Sequence, residues 1–141
     1  MKKISDLMQK GVIFCYPNDT AREIARMMDK NLVRSIVVVD DNGEVLGLIS
    51  VMEVIPHYGK NLDRIQAEKI MRPYKIDVDP DWPIEKAIDL MKKWKIEQLI
   101  ILDPNSPVKR PVGILTTFDI VQYMSGLAVG RLEQHLKMPE Q

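Results

Sequence analysis

Residues 113–119 read Gly-Ile-Leu-Thr-Thr-Phe-Asp, and residues 47–53 read Gly-Leu-Ile-Ser-Val-Met-Glu. In both stretches apolar residues lead into a hydroxyl side chain, and an acid follows three residues later. This pattern predicts a short apolar strand that ends at the start of a helix. The hydroxyl can cap that helix, whose free backbone N–H groups attract an anion such as phosphate. The acid then faces hydrogen-bond donors such as the hydroxyls of a ribose.

The same residues also allow a simpler interpretation without a ligand. Ser50 and Glu53 have the spacing of a capping box, and Thr116 and Asp119 form a weaker version of it. Each acid would then only bond to the backbone at the start of its own helix. The motif alone leaves both interpretations open.

The elements around the two motifs form an internal repeat. An apolar helical face within residues 20–31 and a β-branched strand at residues 36–39 precede the first motif. Adding 63 to these numbers gives a second helix and the strand at residues 99–102. Because the loop at residues 104–111 is three residues longer, the two motifs are offset by 66. We therefore predict two β-α-β-β-α units of roughly sixty residues, each too small to bury a good core alone.

Local patterns predict the remaining elements of the first unit. We expect a short helix within residues 4–10, a strand at residues 12–16 and a hairpin turn at Asn42-Gly43. A helix is predicted from residue 50 to about residue 58, and residues 62–67 read as a polar connector.

Composition predicts a soluble globular protein. The chain has 141 residues, of which 45% are hydrophobic and 28% are charged. Twenty basic and twenty acidic residues cancel, which disfavours nucleic acid and anionic membranes as partners. No apolar run is long enough to span a bilayer.

Cysteine and histidine usage predicts a cytoplasmic protein without catalysis. Cys15 is the only cysteine and lies in an apolar run, and no apolar leader opens the chain. Neither His57 nor His135 has the spacing of a metal ligand. No nucleophile with a nearby base and no glycine-rich phosphate loop is found, so we expect neither an enzyme nor a catalytic cofactor.

Two such units, each closing with glycine, two apolar residues, Ser or Thr, and an acid, resemble a tandem pair of CBS (cystathionine-β-synthase) domains, also called a Bateman module. The resemblance also rests on Pro17 and Pro80 before the first helices and on the paired stretches at residues 33–40 and 96–103. It implies an α+β fold in which two repeats pack as a pseudo-twofold pair. The expected boundaries are residues 4–60 and 68–126 for the repeats, 61–67 for a linker, and 127–141 for a tail or short helix.

The resemblance further implies a regulatory module that binds an adenosine ligand in clefts between the repeats. The acid of one repeat would bind the ribose, and the other repeat would hold the base and phosphate. The first predicted cleft consists of Gly11, Val12, Ile13, Val33, Arg34, Ile114, Thr116, Thr117, Phe118 and Asp119. The second predicted cleft consists of Lys75, Ile76, Ile96, Glu97, Leu48, Ser50, Met52 and Glu53.

The two predicted clefts differ in charge. The first combines Asp119 at the ribose with Arg34, whose guanidinium can form a charge-assisted fork with phosphate. The second combines Glu53 with Glu97, which would repel a phosphate by on the order of 1 kcal/mol or more. We therefore predict one good site per chain, for AMP or less favourably ADP or ATP. The Glu53 cleft would be empty, weak, or suited to an uncharged or sulfonium nucleoside such as S-adenosylmethionine.

A second hypothesis is a structural dimer or partner-docking protein whose clefts are vestigial. Members of the family associate through their helices into homodimers, and burial within the monomer is the competing explanation for the apolar residues there. Those residues are Val54, Ile55, Ile120, Val121 and Met124. A nucleic-acid-binding or enzyme-associated role is disfavoured by the neutral charge and the lack of an attached effector domain. The regulated protein cannot be read from the sequence.

Overall fold

The computed structural model describes residues 1–127, which form six helices and seven strands. The helices are α1 (Ile4–Leu7), α2 (Ala21–Asn31), α3 (Val51–Val54), α4 (Ala67–Ile70), α5 (Ile84–Trp94) and α6 (Thr117–Ser125). The strands are β1 (Gln9–Lys10), β2 (Phe14–Cys15), β3 (Ser35–Val39), β4 (Val45–Ser50), β5 (Arg72–Pro73), β6 (Gln98–Leu102) and β7 (Pro111–Thr116). The predicted α+β fold of two packed repeats is confirmed. The short helix predicted after residue 127 lies outside the described residues.

Each half of the molecule donates a strand to the sheet of the other half. The four-stranded sheet has the order β2-β3-β4-β5, and the three-stranded sheet has the order β1-β7-β6. Strand β1 is antiparallel to β7, with Gln9 opposite Ile114. Strand β5 is antiparallel to β4, with Arg72 opposite Leu48. The two halves are therefore interlocked through their backbones.

A glycine at the start of each repeated motif makes this exchange of strands sterically possible. A Cβ atom built on Gly113 would lie 2.6 Å from the carbonyl oxygen of Gln9. A Cβ atom built on Gly47 would lie 2.8 Å from the carbonyl oxygen of Arg72. Only glycine allows the neighbouring backbone to come this close.

The strand predicted at residues 12–16 is wrong in extent, because the chain changes sheets within it. Gly11, at φ +78°, donates its N–H to the Val112 carbonyl over 2.8 Å. Two residues later, the Ile13 carbonyl accepts from the Val37 N–H over 3.0 Å, in the other sheet. Within the predicted strand only Phe14–Cys15 is a strand. The helix predicted within residues 4–10 ends earlier, at Leu7, and strand β1 occupies Gln9–Lys10.

The helix predicted to reach residue 58 ends as an α-helix at Val54 and continues as a 3₁₀ turn at Ile55–His57. Pro56 has no N–H to donate to the preceding turn, which accounts for the change. The predicted connector contains a further 3₁₀ turn at Leu62–Arg64, and α4 begins at its end.

Three apolar clusters hold the fold together. The first-half cluster includes Ala67 and Ile70 from α4, and the second-half cluster includes Ile4 from α1. The leading helix of each repeat therefore packs into the core of the opposite half. The third cluster, which we call the seam cluster, joins the two sheets and consists of Val37, Val39, Val45, Ile100 and Leu102.

Cys15 is buried in the first-half cluster. Burial, with smaller contributions from Asp19 and Glu23, raises the pKa of its thiol to about 12. The thiol is therefore protonated at neutral pH and serves as core packing. Across residues 1–127, no helix is long and apolar enough to cross a bilayer.

Candidate ligand-binding clefts

Both repeated motifs form capping boxes. The Ser50 N–H donates to Glu53 Oε1 over 2.7 Å, and the Thr116 N–H donates to Asp119 Oδ2 over 2.8 Å. The interpretation of the motif as a capping box without a ligand therefore describes both helix starts correctly. Glu53 Oε1 also accepts from the Ser50 hydroxyl over 2.7 Å, so both of these bonds stay within the start of helix α3.

The Asp119 carboxylate is contacted from the opposite half of the molecule. Gln9 Nε2 lies 3.2 Å from Asp119 Oδ1 and 3.3 Å from Oδ2. Because Gln9 lies on β1, this carboxylate sits where the first half reaches the second. Gln9 was not among the predicted site residues. Its position two residues before Gly11, a predicted site residue, could have indicated a role in the site. That indication is useful only once β1 is known to pair with β7.

Three predicted residues of the first cleft, which we call the Asp119 cleft, adjoin this contact through the chain or the β1–β7 pairing: Gly11, Ile114 and Phe118. Gly11 bonds to the residue two before Ile114 on β7, and Ile114 lies opposite Gln9. Val12 packs at the edge of the seam cluster. Ile13 is 36% exposed and Phe118 is 53% exposed, so both residues have surface accessible to a ligand.

Val33 and Arg34 lie just before strand β3. Val33 packs against the first-half cluster, and the Arg34 carbonyl accepts from the Val51 N–H over 3.1 Å. Arg34 is exposed, and within the described chain it forms no ion pair with Asp119. The convergence of Arg34 and Asp119 on one ligand therefore stays a prediction.

The residues of the second cleft, which we call the Glu53 cleft, are distributed differently. Leu48 packs at the edge of the seam cluster, and Ser50 is buried at the helix start. Ile76 and Ile96 pack against the second-half cluster. The exposed residues of this set are Met52, Lys75 and Glu97.

Tyr74 lies in this region and was missed in the sequence. Its hydroxyl accepts from the Ile100 N–H over 2.9 Å and donates to the Ile100 carbonyl over 3.1 Å. Burial raises the pKa of this phenol, so the hydroxyl stays protonated at neutral pH. The Ile100 N–H and carbonyl would each cost about 1–3 kcal/mol if they were left buried without a partner. Their bonds to the Tyr74 hydroxyl therefore hold the ring in place.

Two interlocked β-α-β-β-α halves, each with an acid in the capping box after its central hairpin, define a CBS domain pair. The model of the CBS domain matches residues 4–59 and 67–126, so the chain belongs to the CBS domain family.

Relatives of this chain include an uncharacterized protein and a much longer enzyme. The uncharacterized protein MK0525 of Methanopyrus kandleri is 33% identical over 138 residues, which cover 95% of this chain and 68% of that protein. The L-aspartate semialdehyde sulfurtransferase of Methanocaldococcus jannaschii is 26% identical, but the match covers 87% of this chain and only 23% of the enzyme. The chain therefore spans about a quarter of such enzymes.

Solved structures share the fold. The CBS domain pair of protein MJ0100, in complex with 5′-methylthioadenosine and S-adenosyl-L-methionine, superposes with a TM-score of 0.79 at 25% identity. The match covers 89% of this chain and 98% of that one. The structure of CBSX2 in complex with AMP has a TM-score of 0.74 at 19% identity, again covering 89% and 98% of the two chains.

Proposed function

We propose that this protein is a non-catalytic sensor that binds one adenosine nucleotide, AMP in preference to ADP or ATP, in the Asp119 cleft. The observation that carries the proposal is the Gln9–Asp119 contact. It joins a carboxylate of the second half to strand β1 of the first half, just before the chain passes from one sheet to the other. Membership of the CBS family and the adenosine ligands of MJ0100 support the class of ligand.

Each part of the nucleotide has a proposed partner in this cleft. The Asp119 carboxylate accepts hydrogen bonds from the ribose hydroxyls, displacing or sharing the amide of Gln9. The apolar surface of Val12, Ile13 and Ile114 packs against the base. The exposed Arg34 guanidinium neutralises the phosphate and favours a nucleotide over a nucleoside.

Thermal melting tests the proposal directly. AMP at one hundred times its dissociation constant should stabilise the fold by about 2.7 kcal/mol. For a domain of this size we expect the melting temperature to rise by about 10 °C. Adenosine and S-adenosylmethionine serve as comparison ligands. A melting temperature unchanged by all three compounds would reject the proposal.

Arg34→Ala is expected to weaken AMP binding by about tenfold or more and adenosine binding only slightly. The reason is that a guanidinium–phosphate bond contributes about 1.5–3 kcal/mol, and adenosine has no phosphate. Isothermal titration calorimetry with both ligands measures the difference. Arg26→Ala, which removes the same charge from the exposed face of α2, is the matched control and should leave both affinities unchanged. Equal losses for AMP and adenosine would remove Arg34 from the phosphate site.

A structural dimer or docking protein is the second candidate, supported by exposed apolar residues on α6 and after α3. Ile55, Val121 and Met124 are 58%, 51% and 75% exposed, whereas Ile120 is buried and Val54 packs against the first-half cluster. Burial within the monomer therefore explains only part of this set. Ligand-independent dimerisation in analytical ultracentrifugation, with no melting response to adenosine compounds, would favour this candidate.

A further inference from the structure

The seam between the two halves is asymmetric at one pair of equivalent positions. Adding 63 to the number of Gly11 gives Tyr74, so the repeat aligns the smallest residue with a large aromatic one. Both residues lie just after an exchanged strand and bond to the strand that receives it. The Gly11 N–H donates to the Val112 carbonyl over 2.8 Å, and the Tyr74 N–H donates to the Leu46 carbonyl over 3.5 Å.

The next contacts show what the tyrosine side chain replaces. In the first half, the Val37 N–H is bonded by the backbone carbonyl of Ile13. In the second half the equivalent N–H, that of Ile100, is bonded by the Tyr74 hydroxyl. In the second half the Tyr74 side chain thus takes the place that the Ile13 backbone carbonyl holds in the first half.

The space around the two positions differs accordingly. Beyond its chain neighbours, no atom of the described residues lies within 4 Å of a Cβ built on Gly11. The Tyr74 ring instead packs against the seam cluster, where Leu48 of the Glu53 cleft and Val12 of the Asp119 cleft also pack. Open space at Gly11 therefore corresponds to an aromatic ring at the equivalent position of the second half.

We infer that the Tyr74 ring occupies the base-binding part of the Glu53 cleft and closes it, which leaves the Asp119 cleft as the adenosine site of the pair. The inference rests on the proposed function for the identity of the ligand. It adds a steric cause to the charge difference between the clefts. An aromatic ring with a bonded hydroxyl is a close physical substitute for a bound base.

Tyr74→Ala should open the second cleft. Adenosine is the suitable probe because it has no phosphate for Glu97 to repel. In isothermal titration calorimetry we expect the wild-type chain to bind one adenosine and Tyr74→Ala to bind two. In the Tyr74→Ala background, Asp119→Ala should leave one site, and adding Glu53→Ala should remove it. Tyr74→Phe is the matched control: it loses the hydroxyl, keeps the ring, and should still bind one.

Phenol provides a readout that does not depend on the proposed function. Millimolar phenol should raise the melting temperature of Tyr74→Ala but not of Tyr74→Phe, because only alanine leaves a ring-shaped space. If Tyr74→Ala does not fold, Tyr74→Val keeps part of the apolar packing without a ring and replaces it in both experiments.

The outcomes separate the two proposals. The proposed function is rejected if the wild-type chain binds no adenosine. The closure by Tyr74 is rejected if the wild-type chain and the Tyr74→Ala chain each bind one adenosine. Phenol rescue without a second adenosine site would also overturn the inference, because the ring would then fill only core space. No adenosine binding by Tyr74→Ala overturns it as well.

Discussion

Asp119→Ala is expected to abolish the rise in melting temperature that AMP produces. The carboxylate would accept two charge-assisted hydrogen bonds from the ribose, each contributing about 1.5 kcal/mol or more. Their loss corresponds to at least about a hundredfold weaker binding. The measurement is a melting curve with and without AMP at the concentration that saturates the wild-type protein.

Glu53→Ala is the matched control for this experiment. Both acids occupy the third position of a capping box, so each substitution removes a similar helix-end interaction. Each should lower the stability of the ligand-free protein by up to about 1 kcal/mol. Only Asp119→Ala should lose the AMP response. The opposite pattern would assign the nucleotide to the Glu53 cleft.

Gly113→Ala is expected to produce the largest loss of stability, about 3 kcal/mol, at the upper end of the usual cost of overpacking. The new Cβ would lie 2.6 Å from the Gln9 carbonyl oxygen and 2.8 Å from the Met8 sulfur. The carbonyl belongs to β1, so it can move only if β1 shifts away from β7. Chemical denaturation measures the free energy of unfolding, and AMP binding should weaken too because Gln9 and Gly11 shift.

Two other glycines provide controls for this prediction. Gly59→Ala adds a Cβ into open space at φ +86° and should cost only about 1 kcal/mol of backbone strain. Gly47→Ala should destabilise as Gly113→Ala does, because its Cβ would lie 2.8 Å from the Arg72 carbonyl oxygen. Its clash lies at the Glu53 cleft, so AMP binding should persist. A Gly113→Ala chain as stable as Gly59→Ala would contradict the pairing of β1 with β7.

The repeat and the helix ends could be predicted from the sequence because they are local. Thr20 caps α2 through a capping box with Glu23, as their spacing predicts. The repeat offset of 63 also holds for α1 and α4, at Ile4–Leu7 and Ala67–Ile70. Hydrogen bonding between near neighbours determines these features, and side-chain spacing reports it directly.

The exchange of strands between the halves could not be predicted in this way. Periodicity shows that residues near Gly11 are apolar and extended, but not that they leave one sheet for the other. Gln9 was missed for the same reason, since it acts on a residue from the opposite half. Tyr74 was missed because its partner, Ile100, lies 26 residues away in the chain. The alignment of Gly11 with Tyr74 was visible in the sequence, and its meaning required the paired strands.

A crystal structure of the protein with AMP tests the central claim most directly. We expect one nucleotide per chain, with its ribose on Asp119, its base against Val12 and Ile13, and its phosphate on Arg34. The Tyr74 ring should remain bonded to Ile100. A nucleotide bound in the Glu53 cleft, or bound away from the seam between the halves, would contradict the account.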